Sequence, residues 1–317
     1  MFWPQISKID SSIPASSKFR QRLTTAVKAI VSLGLLIYLF SKIDVGSVGR
    51  VLQNLHPGYF ALAWISFFGL QFVGVFRWRI MVRLQGFEHP FGRLASYYFV
   101  GLFFNLFLPT SIGGDLGKCY YLAESRGDIL RAVTTVLADR ISGMIALLCI
   151  ASIALLTAGS VIVPAWMTFF TVAGTVLLIL GLLIPFIFPR LLRRYELPYR
   201  YWENPRFMAA SLAVSFFIQF SVVIISMIIG QAVDVVIPWE SYFVFIPLVT
   251  VAGMIPVSLN GLGVREGAYV YFLAQVGVAA HQALAFAVLW LILITSLNVL
   301  GGLGWVLISR PLNAVKT

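Results

Sequence analysis

The chain has 317 residues, of which 60% are apolar and only 11% are charged, and its mean hydropathy is +0.92. Because a soluble domain carries about a quarter charged residues, this composition excludes an ordinary soluble protein and predicts an integral membrane protein. The net charge of +11 comes without a basic soluble domain, so it does not indicate a nucleic-acid partner. The sequence has no His-Glu-x-x-His or Cys-x-x-Cys element and predicts neither a metal nor another cofactor.

Taken from the N-terminus, six apolar segments are long enough to cross a bilayer, which requires about 20 helical residues. They span roughly 23–43, 58–78, 132–158, 166–188, 207–230 and 283–308. No short apolar region with a small-residue cleavage site precedes the first of them, so we expect it to be a retained helix rather than a signal peptide. The segments at about 94–122 and 242–277 are also apolar, but proline and glycine interrupt both, and these residues end helices.

The two interrupted segments resemble each other. Each passes from an apolar stretch into a proline, then a serine two residues later, then glycines with an acid and a base close by. The predicted breaks are marked by Asn105, Pro109 and Ser111 in the first segment and by Pro256, Ser258 and Asn260 in the second. Because non-helical backbone at membrane depth must be buried in protein or line a polar cavity, we expect each segment to be a re-entrant hairpin. A matched pair of interrupted segments is typical of a transporter's binding site.

The distribution of basic residues predicts the orientation, since lysine and arginine favour the cytoplasmic side of a membrane. If the N-terminus is cytoplasmic and both hairpins return to the side they entered, the cytoplasmic parts carry most of the 23 basic residues, Arg77 among them. The outer loops then carry only Lys42 and Arg50. We therefore expect a multi-pass protein of the cell (inner) membrane with both termini in the cytoplasm, where the basic loops also contact anionic lipid.

The predicted domain organisation is one membrane domain at 23–310, between a cytoplasmic N-terminal segment at 1–22 and a cytoplasmic tail at 311–317. The domain divides into halves at about 23–158 and 166–308, each with two spans, a hairpin and a third span. Three crossings per half invert the second half relative to the first. The predicted fold is therefore an all-α polytopic membrane protein with six full spans plus two re-entrant broken-helix hairpins in an inverted repeat. A duplication that left symmetry without a transport role is the alternative.

Charged residues within the predicted membrane segments are candidates for function, because a charge at the bilayer centre costs about 2.5–3.5 kcal/mol. The candidates are the bases Lys118, Arg140 and Arg265 and the acids Asp115, Asp139 and Glu266. We predict that the bases bind an anionic lipid head group and that the acids hold the bases when no lipid is bound. Glu266 is also the best candidate for proton coupling. Glycine lets a phosphate approach the backbone closely. We predict that the head group contacts the backbone at four glycines, Gly113, Gly114, Gly261 and Gly263.

Each charged candidate also has a structural interpretation. Asp115 and Lys118 are three residues apart and can form a local ion pair on one helix face. Arg140 can extend to the cytoplasmic interface. Its neighbour Asp139 points about 100° away and should serve a different partner, of which Arg265 is one candidate.

The remaining polar residues and glycines also allow two interpretations. Arg265 and Glu266 are adjacent, a spacing too short for a good helical pair, so we expect each to contact a ligand or the charges of the first hairpin. The polar side chains at the breaks are expected mainly to satisfy backbone groups that the breaks leave free. Gly301 and Gly302 permit close helix packing, either within the chain or between copies in an oligomer.

Taken together, these motifs resemble the lysylphosphatidylglycerol synthetase transmembrane (flippase-like) family over about 22–310. The residues that carry the resemblance are Asn105, Pro109, Gly113-Gly114-Asp115, Lys118, Asp139-Arg140 and Pro256 to Gly267, with Gly261-Leu-Gly-Val-Arg-Glu266 the most specific. The family often has arginine where Lys118 stands. In its aminoacylating members a soluble domain makes the lipid and the membrane domain moves it, so the resemblance implies a stand-alone member that carries out only the translocating half.

The sequence therefore predicts a lipid flippase that moves an anionic-head-group lipid, such as a phospholipid or a polyprenyl-phosphate-linked lipid, between leaflets, rather than an enzyme. Its partners would be membrane lipids with phosphate head groups. The sequence has no nucleotide-binding Gly-x-x-x-x-Gly-Lys-Ser/Thr element, so transport is expected to be passive or ion-coupled. Two alternatives are open: a membrane-embedded glycosyl or acyl transferase acting on a lipid phosphate, and a non-transporting scaffold subunit that binds a lipid-synthesis enzyme.

Overall fold

The computed structural model describes residues 15–107, 113–123, 125–157, 163–187, 196–255 and 257–308. Within these ranges the regular structure consists of twelve α-helices and one short 3₁₀ helix, and no strand is present. The predicted break residues Pro109, Ser111 and Pro256 lie outside the described residues. The all-helical fold class is confirmed.

The helices are numbered here in chain order. The first half contains α1 (Ala15–Lys42), α2 (Val45–Gln53), α3 (Pro57–Leu84), α4 (Phe91–Phe107), α5 (Gly113–Leu122), the 3₁₀ helix Arg126–Asp128 and α6 (Ile129–Thr157). The second half contains α7 (Ala165–Ile187), α8 (Glu196–Glu203), α9 (Pro205–Ala232), α10 (Trp239–Met254), α11 (Val264–Ala274) and α12 (Ala280–Ile308).

Six of these helices, α1, α3, α6, α7, α9 and α12, are long and apolar enough to cross a membrane, and they coincide with the six predicted spans. Two of them, α3 and α9, begin with Pro57 and Pro205, which fit a first helical turn because its N–H groups have no partner inside the helix. Large apolar side chains such as Phe169 and Leu177 on α7 are about two-thirds exposed, as expected where a helix faces lipid. The chain is a multi-pass membrane protein.

Each interrupted segment forms two shorter helices. Helix α4 ends at Phe107 and α5 begins at Gly113, while α10 ends at Met254 and α11 begins at Val264. The second connection needs left-handed backbone, with φ of +49° at Asn260, +78° at Gly261 and +84° at Gly263. The second connection thus contains the predicted break residues Ser258 and Asn260, whereas residues 108–112 between α4 and α5 lie outside the described residues. We refer to α4–α5 as hairpin 1 and to α10–α11 as hairpin 2.

Packing between the halves brings the two hairpins into the core of the bundle. Helix α4 packs along α12, α10 packs along α6, and α3 packs along α9. The contact between α4 and α12 is close enough that a Cβ atom at Gly301 would overlap the carbonyl oxygen of Phe99. The small residue at Gly301 therefore serves helix packing within the chain.

Candidate functional site

The first charged site is organised around one buried carboxylate. Asp115 is the third residue of α5 and is only 5% exposed. Its Oδ1 atom lies 3.3 Å from the Lys118 ammonium on the same helix, and its Oδ2 atom accepts a 2.8 Å hydrogen bond from Nε of Arg140 on α6. We call these three residues the Asp115 cluster. One acid thus holds two of the predicted head-group bases.

The two bases of the Asp115 cluster differ in accessibility. The Lys118 side chain is 8% exposed, whereas that of Arg140 is 44% exposed. The Lys118 ammonium lies 4.2 Å from the centre of the Tyr98 ring and 6.0 Å from that of Trp78, so aromatic faces add to the attraction of Asp115. A ligand approaching the cluster would therefore meet Arg140 first.

A second ion pair adjoins the cluster, since its Asp139 precedes Arg140 in α6, and its base is Arg77, which was not among the candidate residues. Arg77 was counted among the cytoplasmic basic residues, but the structure buries it within α3 at 9% exposure. Its Nε and Nη2 atoms donate to the two carboxylate oxygens of Asp139 at 2.7 and 3.0 Å. Asp139 therefore pairs with Arg77 rather than with Arg265, while the prediction that Asp139 and Arg140 serve different partners agrees with the structure.

Polar contacts extend this pair across three helices. Nη1 of Arg77 donates to the Ser215 hydroxyl on α9 at 3.2 Å, and Ser215 in turn contacts the Ser142 hydroxyl on α6 at 3.2 Å. Gln219 on α9 donates to the carbonyl of Gly143 on α6 at 3.3 Å. These contacts fix α3, α6 and α9 relative to one another, and so fix the helix that carries Arg140.

In hairpin 2, Glu266 caps the start of α11. Its Oε2 atom accepts a 2.6 Å hydrogen bond from the backbone N–H of Gly263, and its Oε1 atom lies 3.4 Å from Nη2 of Arg265. The two adjacent charges were each expected to contact a ligand or the charges of the first hairpin, and the structure pairs them with each other. The capping bond turns the Glu266 carboxylate back toward the helix start, which brings it within reach of the neighbouring guanidinium.

The two hairpins touch at Asn105 and Asn260. The Asn105 side chain accepts a 3.0 Å hydrogen bond from the N–H of Gly114 at the start of α5, and its backbone carbonyl accepts one from the Asn260 side chain. Both side chains bond backbone groups beside the breaks, which is the role expected of them. Asn105 thus joins both arms of hairpin 1 to the turn of hairpin 2.

Comparison with known proteins adds one match. Residues 25–302 match the family described as the lysylphosphatidylglycerol synthase TM region. The chain belongs to this family. No curated protein matches the chain.

In this member of the lysylphosphatidylglycerol synthase transmembrane family, packing explains most of the predicted glycines. A Cβ atom at Gly114 would overlap the carbonyl oxygen of Gly101, and one at Gly263 would lie 2.8 Å from the Cβ of Leu35 on α1. Gly261 has a positive φ, as does Gly263. Gly113 is buried at the start of α5. These glycines shape the hairpins, and they are not needed solely to admit a phosphate.

The candidate acids of this family member are each paired with a base. Within the described ranges, no group of three or more His, Cys, Asp or Glu side chains comes together as a metal site would require. The Asp115 cluster and the neighbouring ion pair together contain three cations, Arg77, Lys118 and Arg140, and two carboxylates, Asp115 and Asp139. Chemically, such a region favours binding of an anion.

Proposed function

We propose that the chain moves a lipid with an anionic head group, such as a phospholipid or a polyprenyl-phosphate-linked lipid, between the leaflets of the cell membrane without catalysing a reaction. The observation that carries this proposal is the sharing of one buried carboxylate, Asp115, by Lys118 and Arg140. Together with the neutral Arg77–Asp139 pair, the cluster has one positive charge in excess. In a protein of a lipid-related membrane family, a phosphate head group is the anion that best fits this charge.

The proposed path begins at Arg140. Its planar guanidinium can bind two phosphate oxygens, so a head group would compete with Asp115 for it. Lys118 is more deeply buried than Arg140, and its positive charge would add to the attraction of the phosphate. The head group would then pass the contact between Asn105 and Asn260 toward Arg265 while the acyl or prenyl tails stay in lipid.

Two re-entrant hairpins in an inverted repeat are part of this proposal, and matched features of the halves support it. Helices α3 and α9 are both 28 residues long and pack on each other. Each hairpin's first arm packs on the last span of the other half, α4 on α12 and α10 on α6. Asp115 and Glu266 are each the third residue of their helix. Inverted repeats with broken helices commonly form transporter binding sites.

Leaflet exchange in proteoliposomes tests the proposal. Fluorescent phosphatidylglycerol, or a fluorescent polyprenyl phosphate, is placed in both leaflets, and its exchange is followed by quenching from outside. Arg140→Gln should slow exchange about tenfold or more, because it removes a charge-assisted contact to the head group. Arg50→Gln is the matched control, since the Arg50 side chain is 73% exposed and lies far along the chain from the cluster.

Two results would count against translocation. One is a wild-type exchange rate equal to that of protein-free vesicles for both lipids. The other is equal exchange by the Arg140→Gln and Arg50→Gln variants. Turnover of a sugar nucleotide by the purified protein would favour the transferase alternative instead.

A further inference from the structure

Where the turn of hairpin 2 leads into α11, two polar atoms are buried and have no hydrogen-bond partner within the part of the chain that the structure describes. One is the Ser258 hydroxyl, on a residue only 3% exposed, and the other is Nε of Arg265. A buried donor without a partner is costly, so native proteins seldom retain one without a reason such as a ligand. Ser258 was expected to satisfy backbone groups at the break, but its hydroxyl bonds none among the described residues.

The backbone around both donors is held in place. Next to Ser258, the N–H of Leu259 donates to the Ser32 hydroxyl on α1 at 2.8 Å. On the other side of the turn, Arg265 N donates to the carbonyl of Gly261 at 2.9 Å. The single described contact of the Arg265 guanidinium with an acid, at 3.4 Å from Glu266, uses Nη2 and leaves Nε available. Within the described part of the chain, the turn therefore offers two donors that no protein group uses.

We propose that Ser258 and Arg265 form a second anion subsite, in which the serine hydroxyl and the arginine Nε–H donate to oxygens of one phosphate group. The subsite lies on hairpin 2 and shares no residue with the Asp115 cluster on α5 and α6. It rests on the proposed function, whose head-group path leads to Arg265, and takes the phosphate from a lipid. Free phosphate has the same recognition chemistry, so the experiment must separate the two sources.

Binding to the purified full-length protein in detergent tests the subsite without requiring transport. The probes are dihexanoyl phosphatidic acid, inorganic phosphate, and dihexanoylglycerol, which has the same tails but no phosphate. Titration calorimetry with Ser258→Ala should show affinity for the phosphatidic acid about tenfold weaker than wild type, and Ser258→Thr should restore it. Dihexanoylglycerol should not distinguish the variants.

Ser241→Ala is the matched control. Ser241 is also a fully buried serine of hairpin 2 whose hydroxyl has no partner, but it lies in the first turn of α10, away from the tip. Both alanine variants should fold at least as stably as wild type, because each loses a buried hydroxyl that forms no hydrogen bond. Only Ser258→Ala should lose affinity. Equal affinities of the two variants would overturn the subsite.

A double-mutant cycle tests whether the two donors act on one phosphate. If they do, combining Ser258→Ala with Arg265→Gln should weaken binding by less than the product of the two separate effects. Strictly multiplicative effects, or no phosphatidic acid binding by wild type, would overturn the proposal. Inorganic phosphate that binds as tightly as the lipid and depends equally on Ser258 would keep the subsite but assign it to free phosphate. Ser258-dependent lipid binding without leaflet exchange would refute translocation and leave the subsite standing.

Discussion

At the scale of single residues, the buried charges depend on one another. Asp115 is almost fully buried, and so is Lys118, its partner within α5. A charge removed from water is tolerated only when it is paired and hydrogen-bonded. The same holds for Arg77 and Asp139, whose two parallel hydrogen bonds form the stronger, bidentate arrangement. Changing one member of either pair should therefore cost more than changing both.

Replacement of Arg77 tests this dependence. Arg77→Gln should lower the free energy of unfolding by about 3–5 kcal/mol, because it leaves the Asp139 carboxylate buried without its counter-charge. Arg77→Met combined with Asp139→Leu removes both charges and should recover most of that loss. Unfolding of the variants in detergent micelles measures both effects. If Arg77→Gln alone is as stable as wild type, the burial of the Asp139 carboxylate does not depend on Arg77.

Three of these charged residues could be predicted from the sequence and Arg77 could not, for a physical reason. Charges stand out in an apolar run, so Asp115, Lys118 and Arg140 could be identified from the sequence. Arg77 could not, because it shares the end of α3 with Arg79 and Arg83, a pattern typical of side chains that reach the membrane interface. Only the packing of α3 against α6 distinguishes the buried Arg77.

At the scale of helices, the ends could be predicted but the pairings could not. Proline and glycine mark the break after Met254 by their backbone chemistry. The pairing of α4 with α12 leaves no comparable pattern, because lipid-facing and protein-facing surfaces are both apolar. Small residues are the one local indication of a close approach, and Gly301 lies at this contact.

Gly301→Ala tests the α4–α12 contact. The added methyl group would overlap the backbone carbonyl of Phe99, so the helices must separate, and the variant should lose about 1–3 kcal/mol of stability. Gly34→Ala is the matched control, since this glycine of α1 has nothing within 4 Å of the added atom. The greater helix propensity of alanine should stabilise this variant by about 0.5–1 kcal/mol. Unfolding in detergent gives both values, and equal changes in the two variants would contradict the packing.

At the scale of the whole molecule, the contact between the hairpins is a candidate gate. Asn105 belongs to hairpin 1 and Asn260 to hairpin 2, and a hydrogen bond joins them. If the head group passes between the tips, this contact must break in every transport cycle. A protein that alternates between two arrangements of such a contact would move lipid, whereas one locked in either arrangement would not.

Linking the tips covalently tests this gate. In a background with Cys119→Ser and Cys149→Ser, the variant Asn105→Cys/Asn260→Cys is treated with a short bifunctional thiol reagent that forms reducible bonds. Leaflet exchange should fall to the rate of protein-free vesicles and return when a reductant is added, because the linked tips cannot separate. The single-cysteine variants, treated identically, control for modification alone. Exchange that continues unchanged with the tips fully linked would show that the head group does not pass between them, and would instead favour a path along the exposed side of Arg140.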